Sequence, residues 1–123
     1  MIGYVTLGSN DLDRSKSFYD AVMTVLGAER TFSSDRQQGY GGPGEGPMLA
    51  VCRPYDGQSA TRGNGTMIAL LARSRACVDE TYAAALTAGG IDEGAPGLRG
   101  GSFYGAYFRD PDGNKLCVYH NGG

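Results

Sequence analysis

Two similar stretches begin 63 residues apart in the chain, YVTL (Tyr4–Leu7) and MIAL (Met67–Leu70). Both are short and largely apolar, which predicts a β-strand in each case. A helix signal follows each strand: Asn10 or Asp11 can cap the first helix, and Ser74 can cap the second. The chain therefore contains the same strand–helix unit twice.

Each predicted helix closes at a glycine, and further strands follow it. Gly27 and Gly90 are again 63 residues apart, and a glycine pair at 89–90 closes the second helix. More strands are predicted at residues 28–34, 37–41, 48–53, 103–109 and 115–120. Each unit is then one helix on a small sheet. Two such units can curl their bare faces into a central cup, with the helices outside.

Composition limits the class of protein and its partners. The 123 residues suit one domain, and 41% hydrophobic content excludes a disordered chain. A net charge of -2 argues against nucleic-acid and anionic-membrane partners. No apolar run approaches the roughly 20 residues of a membrane span. The N-terminus lacks the features of a signal peptide, and three widely spaced cysteines form no disulfide framework, so we expect a cytoplasmic protein.

The closing stretch FRDPDGNK (Phe108–Lys115), together with the repeat and the opening strand, resembles the glyoxalase/bleomycin-resistance/extradiol-dioxygenase (vicinal oxygen chelate) superfamily. The stretches at 56–63 and 94–99 resemble an uncharacterised glyoxalase-like subfamily. The resemblance implies an α+β fold of two βαβββ modules, at about 1–60 and 64–123, that form a curved mixed sheet. It also implies a homodimer and a divalent metal in the cup.

The residues at the family's metal-ligand positions depart from its pattern. The resemblance places those positions at Tyr4, Met67 and Cys117, with a fourth near Ala50. A tyrosine phenol, with a pKa of about 10, is a poor ligand at neutral pH, and a thioether does not suit hard divalent ions. We therefore predict no metal and no cofactor, which removes the Lewis acid of the family's enzymes.

Strand alternation predicts which side chains face the cup. For the 103–109 strand it leaves two registers open, with either Phe103 and Tyr107 or Tyr104 and Phe108 inward. Arg53, at the edge of its strand, is a candidate partner for an anionic ligand or an ordinary surface arginine. The predicted ligand-binding residues are Tyr4, Thr6, Cys52, Arg53, Met67, Tyr107, Cys117 and Tyr119.

Three functions remain open at this point. The first is a metal-free protein that binds a small aromatic or apolar molecule without turning it over. The second is a glyoxalase-like lyase or isomerase, or a dioxygenase-related enzyme, with a displaced or metal-free site and with Tyr4, Cys117 or Tyr119 as catalytic candidates. The third is an interaction module whose cup is filled by its own side chains. The one histidine, His120, projects away from Cys117 in a regular strand and is expected at the surface or in a dimer or ligand contact.

Overall fold

The structure, a computed structural model, describes residues 1–123 as two successive βαβββ modules. Module one contains β1 (Tyr4–Gly8), α1 (Leu12–Val25), β2 (Glu29–Ser33), β3 (Gln37–Gly41) and β4 (Met48–Cys52). Module two contains β5 (Ile68–Leu71), α2 (Arg75–Thr87), β6 (Ile91–Leu98), β7 (Phe103–Arg109) and β8 (Lys115–Asn121). The predicted α+β class and its duplicated unit are confirmed.

Each module forms its own open, four-stranded mixed sheet. The strand order is β1-β4-β3-β2 in module one and β5-β8-β7-β6 in module two. The first strand of each sheet pairs in parallel with the last, and the other pairs are antiparallel. Both sheets therefore have the same topology, as expected for a repeat, and each leaves its first strand at a free edge.

The modules meet through their helices. Each helix packs on its own sheet and against the other helix, whereas no strand of one sheet contacts a strand of the other. Phe18 of α1 and Phe108 of β7 are fully buried where the modules join, with ring centroids 6.2 Å apart. One chain thus buries the helix side of both sheets and leaves the opposite face of each sheet open.

Side-chain caps begin both helices where the sequence predicts them. The Asp11 carboxylate accepts a hydrogen bond from the Arg14 backbone N–H at 3.1 Å. The Ser74 hydroxyl accepts one from the Cys77 N–H at 3.0 Å. Each cap satisfies a backbone donor that has no partner inside the helix.

The two helices end one residue out of register with the 63-residue repeat. Gly27 follows α1 with φ +79°, and the matching residue after α2 is Gly89 with φ +105°, not Gly90. Gly90 has a different requirement, because a Cβ there would lie 2.8 Å from the Ala85 carbonyl oxygen. The predicted glycine pair therefore supplies one residue for the left-handed turn and one for close packing.

The residue pattern did not locate strand β6, although the βαβββ modules of the resemblance imply a strand after the second helix. Its segment contains Gly94, Pro96 and Gly97, residue types that are depleted in strands. The pairing with β7 is irregular on both sides of Gly94. The strand thus depends on its partner β7 more than on its own propensity.

A buried turn after β7 links the modules. Asp112 Oδ1 accepts a hydrogen bond from the Asn10 backbone N–H at 2.9 Å. The Asn114 side-chain amide donates to the Gly8 carbonyl oxygen, also at 2.9 Å. The DPDGN segment of the resemblance is therefore a structural joint.

Neither helix is long and apolar enough to cross a membrane.

Candidate functional site

The open face of module one is lined by side chains that alternate along β1 and β4. The parallel register places Tyr4 beside Met48, and Thr6 beside Ala50. Tyr4 is 57% exposed, whereas Leu7, which points to the helix side, is only 5% exposed. The predicted orientation of β1 is therefore observed, with Tyr4 and Thr6 outward from the core.

A cavity of about 670 Å³ lies on this face. Tyr4, Thr6 and Cys52 from the predicted ligand-binding set all line it. Its remaining lining comes from Gly8, residues 36–37, residues 54–56 and residues 59–61, so no lining residue belongs to module two. A single chain thus forms this cavity without any residue of module two.

Sequence reasoning named three of the twelve residues that line this cavity, and Arg36, Gln37 and Tyr55 are among the nine that it missed. The Arg36 guanidinium lies 5.4 Å from the centroid of the Tyr55 ring, within the range of a cation–π contact. Gln37 lies opposite Cys52 in the antiparallel pair of β3 and β4. Gln37 could have been found from alternation along β3, but Arg36 and Tyr55 lie outside the strands and carry no such signal.

The open face of module two is aromatic and contains a thiol. Tyr107 on β7 lies directly opposite Cys117 on β8. Phe103 and Tyr119 stack with ring centroids 4.9 Å apart and planes within 8° of parallel. Gly105 makes room for this stack, since a Cβ there would come within 2.8 Å of the Phe103 ring.

The pairing of β7 resolves the register that the sequence left open. Phe103 and Tyr107 share the open face with Tyr119 and Cys117, whereas Phe108 is fully buried on the helix side. His120 is also on the helix side, where its Nδ1 lies 3.0 Å from the Ala72 carbonyl oxygen. It is therefore not placed to activate Cys117.

The environment of Cys117 disfavours the thiolate. Burial raises the pKa of this thiol, and the nearby Tyr107 hydroxyl and the cations Arg99 and Lys115 oppose that rise only in part. Burial, followed by the neighbouring Cys117, also raises the pKa of Tyr107. An activated nucleophile or general base needs a shift in the opposite direction, so this pair is better suited to contact than to proton transfer.

The remaining predicted residues do not join the module-one cavity. Met67 is 43% exposed and lines two other cavities, one of them apolar and situated beside β1 and β5. Arg53 lines a small separate cavity of about 230 Å³ with Ser9 and Gln58. The two open faces, one with Tyr4 and the other with Cys117, are therefore not brought together within one chain.

The residues at the expected metal-ligand positions do not fit a divalent cation. Ala50 offers no donor atom and is fully buried, and Tyr4 and Cys117 are on sheets that do not touch. No group of three or more His, Cys, Asp or Glu side chains in the chain could hold a metal ion. A phenol, a thioether and a thiol do not form the oxygen- and nitrogen-rich set that such ions prefer.

The fold defines a class: α+β proteins built from paired βαβββ modules, each with one open sheet face. The family model of the Glyoxalase/Bleomycin resistance protein/Dioxygenase superfamily matches residues 1–118. The chain belongs to this superfamily, which confirms the resemblance seen in its sequence.

Solved structures agree with this assignment. The chain is similar to a glyoxalase/bleomycin resistance protein from Albidiferax ferrireducens, with 38% identity, 99% coverage of both chains and a TM-score of 0.92. A glyoxalase-related enzyme from Fulvimarina pelagi is 23% identical over 98% of this chain and 88% of its own, with a TM-score of 0.79. A lactoylglutathione lyase from Agrobacterium tumefaciens is 22% identical over 98% and 92%, with a TM-score of 0.69. The last two show a shared fold alone. No curated protein shows significant sequence similarity to the chain.

Proposed function

We propose that the protein binds a small, partly aromatic molecule in a cup completed by a second copy of the chain, without turning it over. The observation that carries this proposal is the exposed, aromatic face of each sheet, with a cavity of about 670 Å³ already formed on module one. Cavities of this size suit small-molecule ligands. Tyr4, Thr6 and Cys52 would contact the ligand from one chain, and Tyr107, Cys117 and Tyr119 from the other.

A second copy suits the two free sheet edges. Edge strands β1 and β5 occupy equivalent places in the repeat, so a twofold axis would bring β1 of each copy beside β5 of the other. Exposed apolar side chains flank these edges, with Ile2 at 56%, Met67 at 43% and Leu71 at 68% exposure. An apolar cleft of about 510 Å³ lies between them. The dimer would bury this surface, with the helices outside each cup.

Binding is favoured over catalysis by the chemistry of the open faces. The thiol of Cys117 and the phenol of Tyr107 both have raised pKa values, so neither is poised for proton transfer near neutral pH. The positions where the family holds a metal lack suitable donors. A cytoplasmic location is part of the proposal and is supported by three free cysteines, which persist in reducing compartments.

Light scattering after size exclusion tests the dimer, with Leu71→Glu as the variant and Leu98→Glu as its control. Leu98 is 56% exposed but lies on β6, the edge strand farthest from β5. We expect a dimer for the wild type and the control, and a folded monomer for Leu71→Glu. A protein concentration of about 100 μM is high enough to populate even a weak dimer. A wild-type protein that is monomeric at this concentration would contradict the shared cup.

Ligand binding needs its own measurement. A thermal-shift screen of aromatic and thiol-containing metabolites should find compounds that raise the melting temperature, because a ligand that binds only the folded state stabilises it. Tyr4→Ala should abolish the shift of such compounds. If nothing in the screen stabilised the protein, the binding proposal would fail.

A further inference from the structure

Positive charge is concentrated on the open face of module two, although the chain as a whole carries a net charge of -2. Arg109 and Lys115 are directly opposite each other on β7 and β8. Glu93 is the carboxylate that pairs with both: its Oε1 lies 2.9 Å from Arg109 Nε and 4.0 Å from Lys115 Nζ. One negative charge thus faces two positive charges at this point.

A third cation stands beside this pair. Arg62 lines a cavity of about 710 Å³ together with Arg109, Lys115, Asn64 and Thr66. Met67 is the one hydrophobic residue among the eight that line it. Arg62 forms none of the ion pairs of the structure, so its guanidinium is available to a ligand. The lining therefore has an excess of hydrogen-bond donors and positive charge.

The charge is placed next to an aromatic surface. The Tyr107 ring is within cation–π distance of two cations, with its centroid 5.5 Å from Lys115 Nζ and 5.6 Å from Arg99 Cζ. The stacked pair of Phe103 and Tyr119 continues the same face. A flat ligand on the open face of module two would therefore lie beside both aromatic rings and cations.

We infer that the molecule bound on this face is a small organic anion, with a flat apolar body on the aromatic rings and a carboxylate or phosphate group held by Lys115, Arg99 and Arg62. This inference rests on the proposed function and adds the charge of the ligand. Charge-assisted hydrogen bonds from guanidinium and ammonium groups are the strong ones available to such a head group. Arg53, the arginine that the sequence suggested for this role, lies in a different cavity.

Titrations followed by amide NMR spectra of the full chain test this inference, with benzoate, benzamide and inorganic phosphate as probes. Benzoate and benzamide have nearly the same shape but differ in charge. We expect benzoate to bind about tenfold or more tightly than benzamide, since one charge-assisted hydrogen bond accounts for that ratio. The benzoate affinity should fall as NaCl is raised from about 0.05 to 0.5 M. Phosphate binding that also depends on Lys115 would support recognition of the head group.

The chain offers a matched control, because Lys16 and Lys115 are its two lysines. Lys115→Gln and Arg99→Gln should each weaken benzoate binding by about fivefold or more, whereas Lys16→Gln, on α1, should leave it unchanged. The dispersion of the amide spectrum shows whether each variant is folded. Equal affinity for benzoate and benzamide would overturn the charge inference and leave the proposed cup intact. Absence of binding by both anions at millimolar concentration would also overturn it.

Discussion

The Tyr19 hydroxyl on α1 donates a hydrogen bond of 2.6 Å to Asp110 Oδ2 in the turn after β7, joining the two modules through buried atoms. Tyr19→Phe would leave that carboxylate oxygen with one donor fewer in a site that water does not reach. We expect a loss of about 1–3 kcal/mol in the free energy of unfolding, measured by urea titration.

Tyr82→Phe is the matched control for this deletion. Its hydroxyl donates to Asp92 at 2.9 Å, but the contact lies at the surface, where water replaces the lost partner. Tyr82→Phe should lower the free energy of unfolding much less than Tyr19→Phe does. Equal losses for the two variants would show that the link between the modules adds nothing beyond an ordinary hydrogen bond.

Gly90→Ala should destabilise the protein although its backbone does not require glycine. The added Cβ would lie 2.8 Å from the Ala85 carbonyl oxygen and 3.0 Å from the Arg109 carbonyl oxygen, and backbone atoms cannot easily move away. We expect about 1–3 kcal/mol lost in thermal or urea unfolding. Gly42→Ala, where nothing lies within 4 Å of the new Cβ, should be close to neutral. A neutral Gly90→Ala would contradict the tight helix ending described above.

Much of the fold follows from the sequence because local signals agree with it. The caps at Asp11 and Ser74 and the strand at 37–41 are observed where the pattern predicts them. Strand β6 escapes prediction because its glycines and proline carry little strand propensity, and only pairing with β7 orders it. The relative arrangement of the two modules depends on the packing of α1 against α2, which are far apart in the sequence. Hydrophobic periodicity within either helix does not predict this contact.

The candidate site was less accessible to prediction than the fold. Tyr4 and Thr6 follow from alternation on β1, and the module-one cavity contains both. Lys115 could have been found by the same rule, as it precedes Cys117 by two residues on β8. The excess positive charge that Lys115 shares with Arg99 and Arg62 arises only when loops and neighbouring strands are brought together by the tertiary structure. Alternation along single strands therefore predicts which residues line the site, whereas the net charge of the lining follows only from the tertiary structure.

Alkylation should distinguish the three cysteines. Cys52 is half-buried at the module-one cavity, whereas Cys77 and Cys117 are buried and the pKa of Cys117 is raised by that burial. Iodoacetamide at pH 7.5, near neutrality, should modify Cys52 first, as read by peptide mass spectrometry, because the thiolate is the reactive form. The rate at Cys117 should increase as the pH rises toward its raised pKa. Preferential labelling of Cys117 at neutral pH would indicate an activated thiol and would favour an enzyme.

Stability should fall at alkaline pH because of tyrosines that stay protonated in the folded chain. Burial and then the charge of Asp110 hold the pKa of Tyr19 well above its usual value, and burial and Asp20 do the same for Tyr40. Below a pH of about 10, both folded and unfolded chains keep these protons, and the stability is fully present. Above it, the unfolded chain releases protons that the folded chain retains. The free energy of unfolding should then fall by up to about 1.4 kcal/mol per pH unit for each such tyrosine, until the pH passes the folded pKa.

Urea titrations between pH 9 and about 11.5 measure this slope, in a range chosen around the ordinary tyrosine pKa. Tyr19→Phe removes one of the two buried phenols, so its stability should start lower and decline less steeply than that of the wild type. Tyr55→Phe, whose ring is 91% exposed, should reproduce the wild-type slope. An unchanged slope in Tyr19→Phe would mean that the Tyr19 phenol ionises as readily in the folded chain as in water, contrary to its burial against Asp110.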